Sequence, residues 1–309
     1  MQSTAEKWML VIFVCMLAAC SAKQAAIDPA EYEAEVREWR QQRLANLKGP
    51  QGYLNLVGLY WLTEGSSQIG SGDGNDIVFP PAAAAFIGEL QTSEEGVRLV
   101  VADDVDVQHD VVPVKSILIA DDTTENPVTL THKSFAWTVI LRDGRFALRL
   151  RDLEHPAIAA FPEIESYPID PAMRLEATLQ PYDEPRVVNV RTTIEGLGYN
   201  PESPGTLAFE IDGQTMKLEA YASGDSLFFV FADATSGHET YPAGRFLYAD
   251  WPGENGTTTL DFNLAYNPPC AFNEFATCPV ASPRNRLAVR IEAGEKYDPD
   301  FHSTPAGYQ

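Results

Sequence analysis

Positive charge is what this chain has least of: 22 Lys and Arg stand against 44 Asp and Glu, for a formal net charge of −22. The acids are spread along the chain and not gathered in a tail, which disfavours nucleic acid and anionic lipid surfaces as partners and favours neutral or cationic ones. No apolar run reaches the ~20 residues that cross a bilayer as a helix. Cysteine is scarce, with four in 309 residues, so a disulfide-dense scaffold is excluded. No internal repeat is visible, which argues against a solenoid. A Gly-x-Ser-x-Gly elbow is also absent, so a serine hydrolase of that type is disfavoured.

What is present is an ordinary globular composition, 45% hydrophobic and 21% charged, long enough for roughly two domains at about 150 residues each. Its first stretch reads as an address. Met9-Leu10-Val11-Ile12-Phe13-Val14-Cys15-Met16-Leu17-Ala18-Ala19 is a short apolar run of the kind that forms a secretory signal. It closes on Leu17-Ala18-Ala19-Cys20, which resembles the bacterial lipobox, in which the cysteine becomes lipid-modified and the new amino terminus. The expectation is a signal peptide at 1–19 and a lipid anchor on Cys20, placing the protein in the bacterial cell envelope, on the periplasmic side or the outer membrane. The n-region departs from the pattern, because Glu6 offsets Lys7.

Removing 1–19 also removes Cys15, and acylation occupies Cys20. Cys270 and Cys278 then remain in an oxidising compartment, where such a pair is expected to form a disulfide. A zinc site is the lesser alternative, since two cysteines without a neighbouring His supply too few ligands.

The mature chain would begin with a tether at 20–27. Asp28-Pro29-Ala30-Glu31 then has the form of a helix start, with Asp as N-cap, Pro at the first helical position and Glu positioned for a capping box. Tyr32, Val36, Trp39, Arg43 and Leu47 recur at helical spacing up to Gly49-Pro50, predicting one amphipathic helix over 28–49. Its opposite face mixes Glu with Arg, so the stripe predicts docking on the protein body and not a membrane-lying helix.

Beyond Gly49-Pro50 the period changes to that of strands. Residues 135–142 and 145–151 alternate apolar with smaller or polar residues around Asp143-Gly144, a hairpin with a type I′ turn. Residues 97–101 and 117–119 read as further strands of an N-terminal β domain at 50–155. Prolines 156, 162, 168, 171, 181 and 185 predict a crossover at 156–186, although an extended strand exchange would look similar. Strands at 187–191, 207–211, 216–220, 227–232, 245–248, 258–262 and 286–291 predict a C-terminal β domain over 187–296, followed by a tail at 297–309. The fold class is therefore mainly β: two joined antiparallel sandwich or barrel domains preceded by one amphipathic helix.

Ile69-Gly70-Ser71-Gly72-Asp73-Gly74-Asn75-Asp76-Ile77 resembles the opening of forkhead-associated domains, a resemblance covering about 70 residues that implies a β-sandwich. That family reads phosphothreonine with an Arg after the Gly and a Ser-x-x-His further on. Ser71 holds the Arg position here and 81–88 offers no such Ser or His, so the phosphopeptide site is not implied.

Residues 231–296 concentrate polar side chains, prolines and cysteines. Asp233, Thr235, Ser236, His238, Glu239 and Tyr241 follow an apolar strand, where loops held by a sheet commonly carry sites, although Asp233 and Thr235 could equally cap a turn. Arg245 and Arg286 need carboxylates if buried, with Asp233, Asp261 or Glu295 as candidates; such a pair could be structural or could hold a ligand carboxylate. Glu239, Asp261 and Glu295 could supply an acid and base pair of glycosidase type. Asp261 and Asn263 are expected on one face of a strand end, with Tyr266 and Asn267 beyond them. Asp103, Asp104, Asp106, His109 and Asp110 lack the spacing of a calcium loop and read as a solvated acidic loop, so no metal site is expected.

Asp261-Phe262-Asn263, Asn267-Pro268-Pro269-Cys270-Ala271-Phe272, Cys278-Pro279, Asn285-Arg286-Leu287 and Ala293-Gly294-Glu295-Lys296, with Thr240-Tyr241 and Gly244-Arg245-Phe246-Leu247 upstream and Leu59-Tyr60-Trp61-Leu62 near the start, resemble the bacterial and archaeal family catalogued as domain of unknown function 1684. The resemblance covers nearly the whole mature chain and implies no activity, cofactor or catalytic residue. The expectation is a ligand-binding or scaffold β module with its pocket near Asp233, Thr235, Glu239, Tyr241, Arg245, Asp261, Asn263, Tyr266, Asn267, Arg286 and Glu295. The alternative is a hydrolase using carboxylate acid and base groups at those positions.

Overall fold

The structure is a computed structural model that describes residues 28–301. The expected signal peptide, Cys15, the lipidation site Cys20 and the tether lie outside the described residues, as does most of the tail. Among the described residues no helix is long and apolar enough to cross a membrane.

The first element is the helix Pro29–Lys48, hereafter α1. Asp28 caps it, accepting the Ala30 N–H at 2.9 Å, and Pro29 sits where its missing N–H costs nothing. Tyr32, Val36 and Leu47 of the stripe are buried, and Trp39 and Arg43 are half-buried. The stripe faces the protein, as the sequence predicts.

Two facing sheets follow. In one, the strands lie in the order Leu56–Trp61, Arg145–Asp152, Phe135–Arg142, Thr129–His132, Gln108–His109 and Val112–Pro113. In the other the order is Ile77–Val78, Gly65–Gly70, Gly88–Ser93, Gly96–Val101 and Ser116–Ile119. Ile69, Leu90 and Leu99 meet Trp137, Val139, Leu148 and Leu150 between them, fully removed from water. The hairpin at 135–152 forms in the expected register, with Arg142 opposite Arg145 and both turn residues at positive φ, 51° for Asp143 and 72° for Gly144.

The C-terminal half is one antiparallel sheet in the order Arg245–Asp250, Ser226–Phe231, Gln214–Ser223, Glu202–Ile211, Arg174–Val187 and Thr257–Asp261. Its first and last strands approach each other, so the sheet nearly closes around Leu207, Phe209, Leu218, Phe229, Phe231, Leu247, Leu260 and Phe262. Two features differ from expectation. Residues 286–291, expected as a strand, are irregular chain that pairs with the sheet through the isolated bridge between Ala232 and Arg286. The proline-rich stretch is a crossover only in its first part, where a short helix Pro156–Ala160 leads into extended chain; Arg174–Val187 is a 14-residue strand inside the sheet. It tolerates its prolines because the register shifts between Pro181 and Arg186, a bulge at which ladder bonds are already lost.

The halves meet at a small apolar cluster of Leu47, Leu54, Phe161, Ala271 and Phe272. A polar contact reinforces it: Asn273 donates to the Tyr53 carbonyl at 2.9 Å.

Candidate functional site

The eleven residues picked from sequence do not converge on one hollow. They divide into separate hydrogen-bonded knots, most of them under or beside α1.

The first knot is built on Arg245 at the start of its strand, with no side-chain exposure. Its guanidinium donates to Asp233 Oδ2 at 2.7 Å, to the Ile291 carbonyl at 3.0 Å and to the Ala293 carbonyl, and lies over the Phe231 ring. Asp233 Oδ1 in turn accepts the Thr235 N–H at 2.7 Å, and Thr235 shares a hydroxyl contact with Thr240 at 2.8 Å. Ser236 Oγ accepts the Asp233 N–H, so this serine holds the turn and is not paired with His238 as a nucleophile. An ion pair removed from water this completely depends on further hydrogen bonds, and here the carbonyls of Ile291 and Ala293 receive the terminal guanidinium nitrogens, while Arg245 Nε is buried with no partner among the described residues. Gly294 makes that carbonyl run possible: its φ is +79°, and a Cβ there would meet the Ala265 carbonyl at 2.4 Å.

The second knot joins the strand end at Asp261 to α1. Tyr32 Oη donates to the Asp261 carboxylate, 2.9 and 2.8 Å from its two oxygens, while Asn263 Nδ2 donates to Tyr32 Oη at 2.8 Å and to the Asp170 carbonyl at 2.7 Å. Burial, then the Asp261 charge, push the Tyr32 phenol well above its ordinary value, so it stays a donor.

The third knot lies further along α1. Arg43 Nε donates to Glu295 Oε1 at 3.1 Å and the Asn267 N–H to Oε2 at 2.7 Å. Another Arg43 nitrogen reaches the Asn267 carbonyl at 2.9 Å, and the guanidinium sits over the Tyr266 ring. Glu295 is completely enclosed, and burial raises its carboxyl above the usual carboxylate range despite Arg43. Asn267 donates to the Lys296 carbonyl, while its own Oδ1 is buried with no partner among the described residues, bordering a cavity of about 70 Å³.

Glu239, at the surface, accepts from Tyr167 Oη at 2.7 Å and pairs with Arg290, which together hold its carboxyl below the usual range. Tyr241 Oη donates to the Cys270 carbonyl at 3.1 Å. Arg286 is exposed and has no ion pair among the described residues; the cation that serves Glu239 is Arg290.

A further expectation meets the structure here. Cys270 and Cys278 are free thiols, not a disulfide. The sulfurs are held by other bonds: the Cys270 N–H donates to Cys278 Sγ at 3.2 Å, and Cys270 Sγ lies 3.3 Å from the Ala276 carbonyl and 3.2 Å from Thr193 Oγ1. The described residues hold no group of three His, Cys, Asp or Glu side chains disposed to bind a metal.

Sequence reasoning missed the helix side of the second and third knots. Tyr32 and Arg43 were legible as a docking stripe, and a buried phenol or guanidinium always needs a partner; that rule was the available signal. It also missed Arg40, whose Nε is buried without a partner among the described residues and which donates to the Tyr167 carbonyl at 3.1 Å. Arg40 lines a cleft of about 670 Å³ between α1 and residues 162–166, with Arg37, Gln41, Leu44, Glu163, Ser166 and Glu295. Partial burial lowers its affinity for the proton.

Fold and site together define a two-part β protein whose N-terminal helix is clamped onto the C-terminal sheet by buried polar groups. Residues 159–296 match the family described as "Protein of unknown function (DUF1684)", and the chain belongs to that family. Among solved structures, the solution NMR structure of an uncharacterized protein from Haloarcula marismortui is 30% identical over 46% of this chain and 80% of that one, with a TM-score of 0.39. No curated protein matches.

Proposed function

We propose that this protein is a lipid-tethered, non-catalytic binding module of the bacterial cell envelope, and that its ligand enters the cleft beside Arg40. The observation that carries the binding reading is the state of the carboxylates. Asp233, Asp261, Glu239 and Glu295 each already hold a cation or a phenol, so none stands ready as the acid or base a hydrolase requires. The hydrolase alternative loses its chemistry, and the knots serve as clamps. The tether reading is supported by the apolar run at 9–19 and by Leu17-Ala18-Ala19-Cys20.

Within the cleft Arg37 is paired with Glu33, Glu295 with Arg43 and Glu165 with Lys296. That leaves Arg40 and Glu163 as the charges with no ion pair among the described residues. A ligand carrying a carboxylate and an ammonium, an amino acid or short peptide, satisfies both and adds no charge to an acidic protein. Thermal-shift titration against amino acids and di- and tripeptides tests this, because a ligand at 100 times its Kd stabilises by about 2.7 kcal/mol. The shift should vanish in Arg40→Gln; no shift with any of these ligands, or an equal shift in the variant, refutes the reading. Membrane fractionation of Cys20→Ser tests the tether, which predicts release into the soluble fraction.

A further inference from the structure

On the other side of α1 lies a separate opening, about 320 Å³, within the range of small-molecule sites. Trp39, Gln42, Arg43, Asn46, Tyr248 and Tyr266 line it, with Leu264 beside them. From these residues we infer a second binding site, for a neutral saccharide of one or two pyranose rings.

Three features point to that class. The wall is aromatic and fixed: Tyr248 and Tyr266 stack with their planes 11° apart and 6.5 Å between centroids, Trp39 stands 6.2 Å from Tyr266, and Phe228 backs Tyr248 at 4.9 Å. Tyr248 nevertheless leaves 46% of its surface open, an unusual exposure for a ring packed on two others. A rigid aromatic face costs little entropy on binding and offers one apolar side and one wet edge. A pyranose ring with equatorial hydroxyls has the same duality, an apolar C–H face and a hydroxyl rim.

The rim facing that wall carries amides. Gln42 Nε2 donates to Asn46 Oδ1 at 2.8 Å, which orients both groups. Gln42 Oε1 and Asn46 Nδ2 then have no hydrogen-bond partner among the described residues, one an acceptor and the other a donor on adjacent turns of one helix. An acceptor and a donor side by side match a vicinal diol, in which one hydroxyl gives a proton and its neighbour receives one.

The third feature is charge. Arg43 is the one ionised side chain in this lining, and its charge is already held by Glu295 at 3.1 Å. The opening therefore presents no free charge of either sign. Phosphates, sulfates and polycations would gain nothing there and would lose hydration, whereas a neutral polyol replaces water with amides and a ring face. This site is independent of the cleft beside Arg40, from which α1 separates it.

The test is isothermal titration of the protein with cellobiose, N,N′-diacetylchitobiose and maltose, alongside Tyr248→Ala, Gln42→Ala and Arg40→Gln variants. Binding of at least one disaccharide is expected, weakened roughly tenfold by Tyr248→Ala and by Gln42→Ala and unaffected by Arg40→Gln. Tyr248 and Gln42 are both exposed, and circular dichroism checks that the variants remain folded. No binding by the parent protein overturns the inference, as does binding that neither Tyr248→Ala nor Gln42→Ala weakens. Capture of an aromatic peptide at this wall in place of sugar overturns it too. Failure of the amino acid and peptide titrations leaves the disaccharide result standing, so the two readings fall separately.

Discussion

Replacing Arg43 with Met asks whether the third knot is a clamp. Methionine keeps most of the aliphatic stem, so packing against Tyr266 and Phe272 is largely retained while the charge is lost. Glu295, with 2% of its side chain exposed, is then left with the Asn267 N–H as its main partner. Removing one member of a buried pair typically costs about 3–5 kcal/mol, because the surviving charge keeps its desolvation penalty. The pH dependence separates that cause from simple loss of contacts. Burial already raises the Glu295 carboxyl, so the folded protein holds this proton more tightly than the unfolded chain, and the group's contribution to stability falls as pH rises from the ordinary carboxylate value through the raised one. Losing Arg43, the largest opposing influence, raises the carboxyl further and carries that fall to higher pH. Urea unfolding should therefore show the full penalty near pH 8 and a smaller one near pH 5, where Glu295 takes up a proton. The double variant Arg43→Met, Glu295→Gln should recover part of the loss and flatten its pH dependence. A loss below about 1 kcal/mol at pH 8, or one equal at both pH values, would refute the account of Glu295 as a buried charge held by Arg43.

Two further outcomes follow from the same geometry. Tyr32→Phe strips the Asp261 carboxylate of its phenol donor and Asn263 of an acceptor while leaving the ring in place, so unfolding should cost about 1.5–3 kcal/mol less in urea titration; an unchanged midpoint would show that α1 is held by its apolar residues alone. In the reduced protein, Cys270 should be the thiol that reacts. The hydrogen bond from Cys278, with a second from Thr193, brings Cys270 down to about 7, whereas burial pushes Cys278 well up. Iodoacetamide followed by peptide mass mapping should modify Cys270 first, with a rate midpoint near that value. Prior labelling of Cys278, or a midpoint at the ordinary thiol value of about 8.5, contradicts the arrangement.

How far the sequence could be read depended on how local the determining physics was. The hairpin at 135–152 and the helix at 29–48 were legible because their signals are contained in neighbouring residues: Asp143-Gly144 for positive φ, and Asp28-Pro29 for a helix start. The strand Arg174–Val187 was hidden by Pro181 and Pro185, since nothing nearby reveals that a partner strand will bulge around them. The partner does so with Gly205, where a Cβ would come within 2.3 Å of the Gln180 carbonyl. Asp233, Asp261 and Glu295 of the supposed site are buried and hydrogen-bonded, but their partners could not be read locally: Tyr32 meets Asp261 across 229 positions and Arg43 meets Glu295 across 252. Arg286 was a candidate for a buried ion pair only on the condition of burial, and it is exposed; Arg290, four residues on, pairs with Glu239 instead.

Those long-range pairs explain why α1 can border two openings without collapsing into either. An apolar stripe alone fixes a helix against a sheet loosely, because greasy contacts tolerate rotation and sliding. Tyr32 and Arg43 are eleven positions apart, about 16 Å along a helix axis, and each is held by a bond that fails if the helix turns. Two directional clamps near opposite ends fix both the rotation and the slide of α1. Arg40 and Gln41 are thereby aimed into one opening, and Trp39, Gln42 and Asn46 into the other. Both hollows then exist before any ligand arrives, which is the condition for binding without an ordering cost.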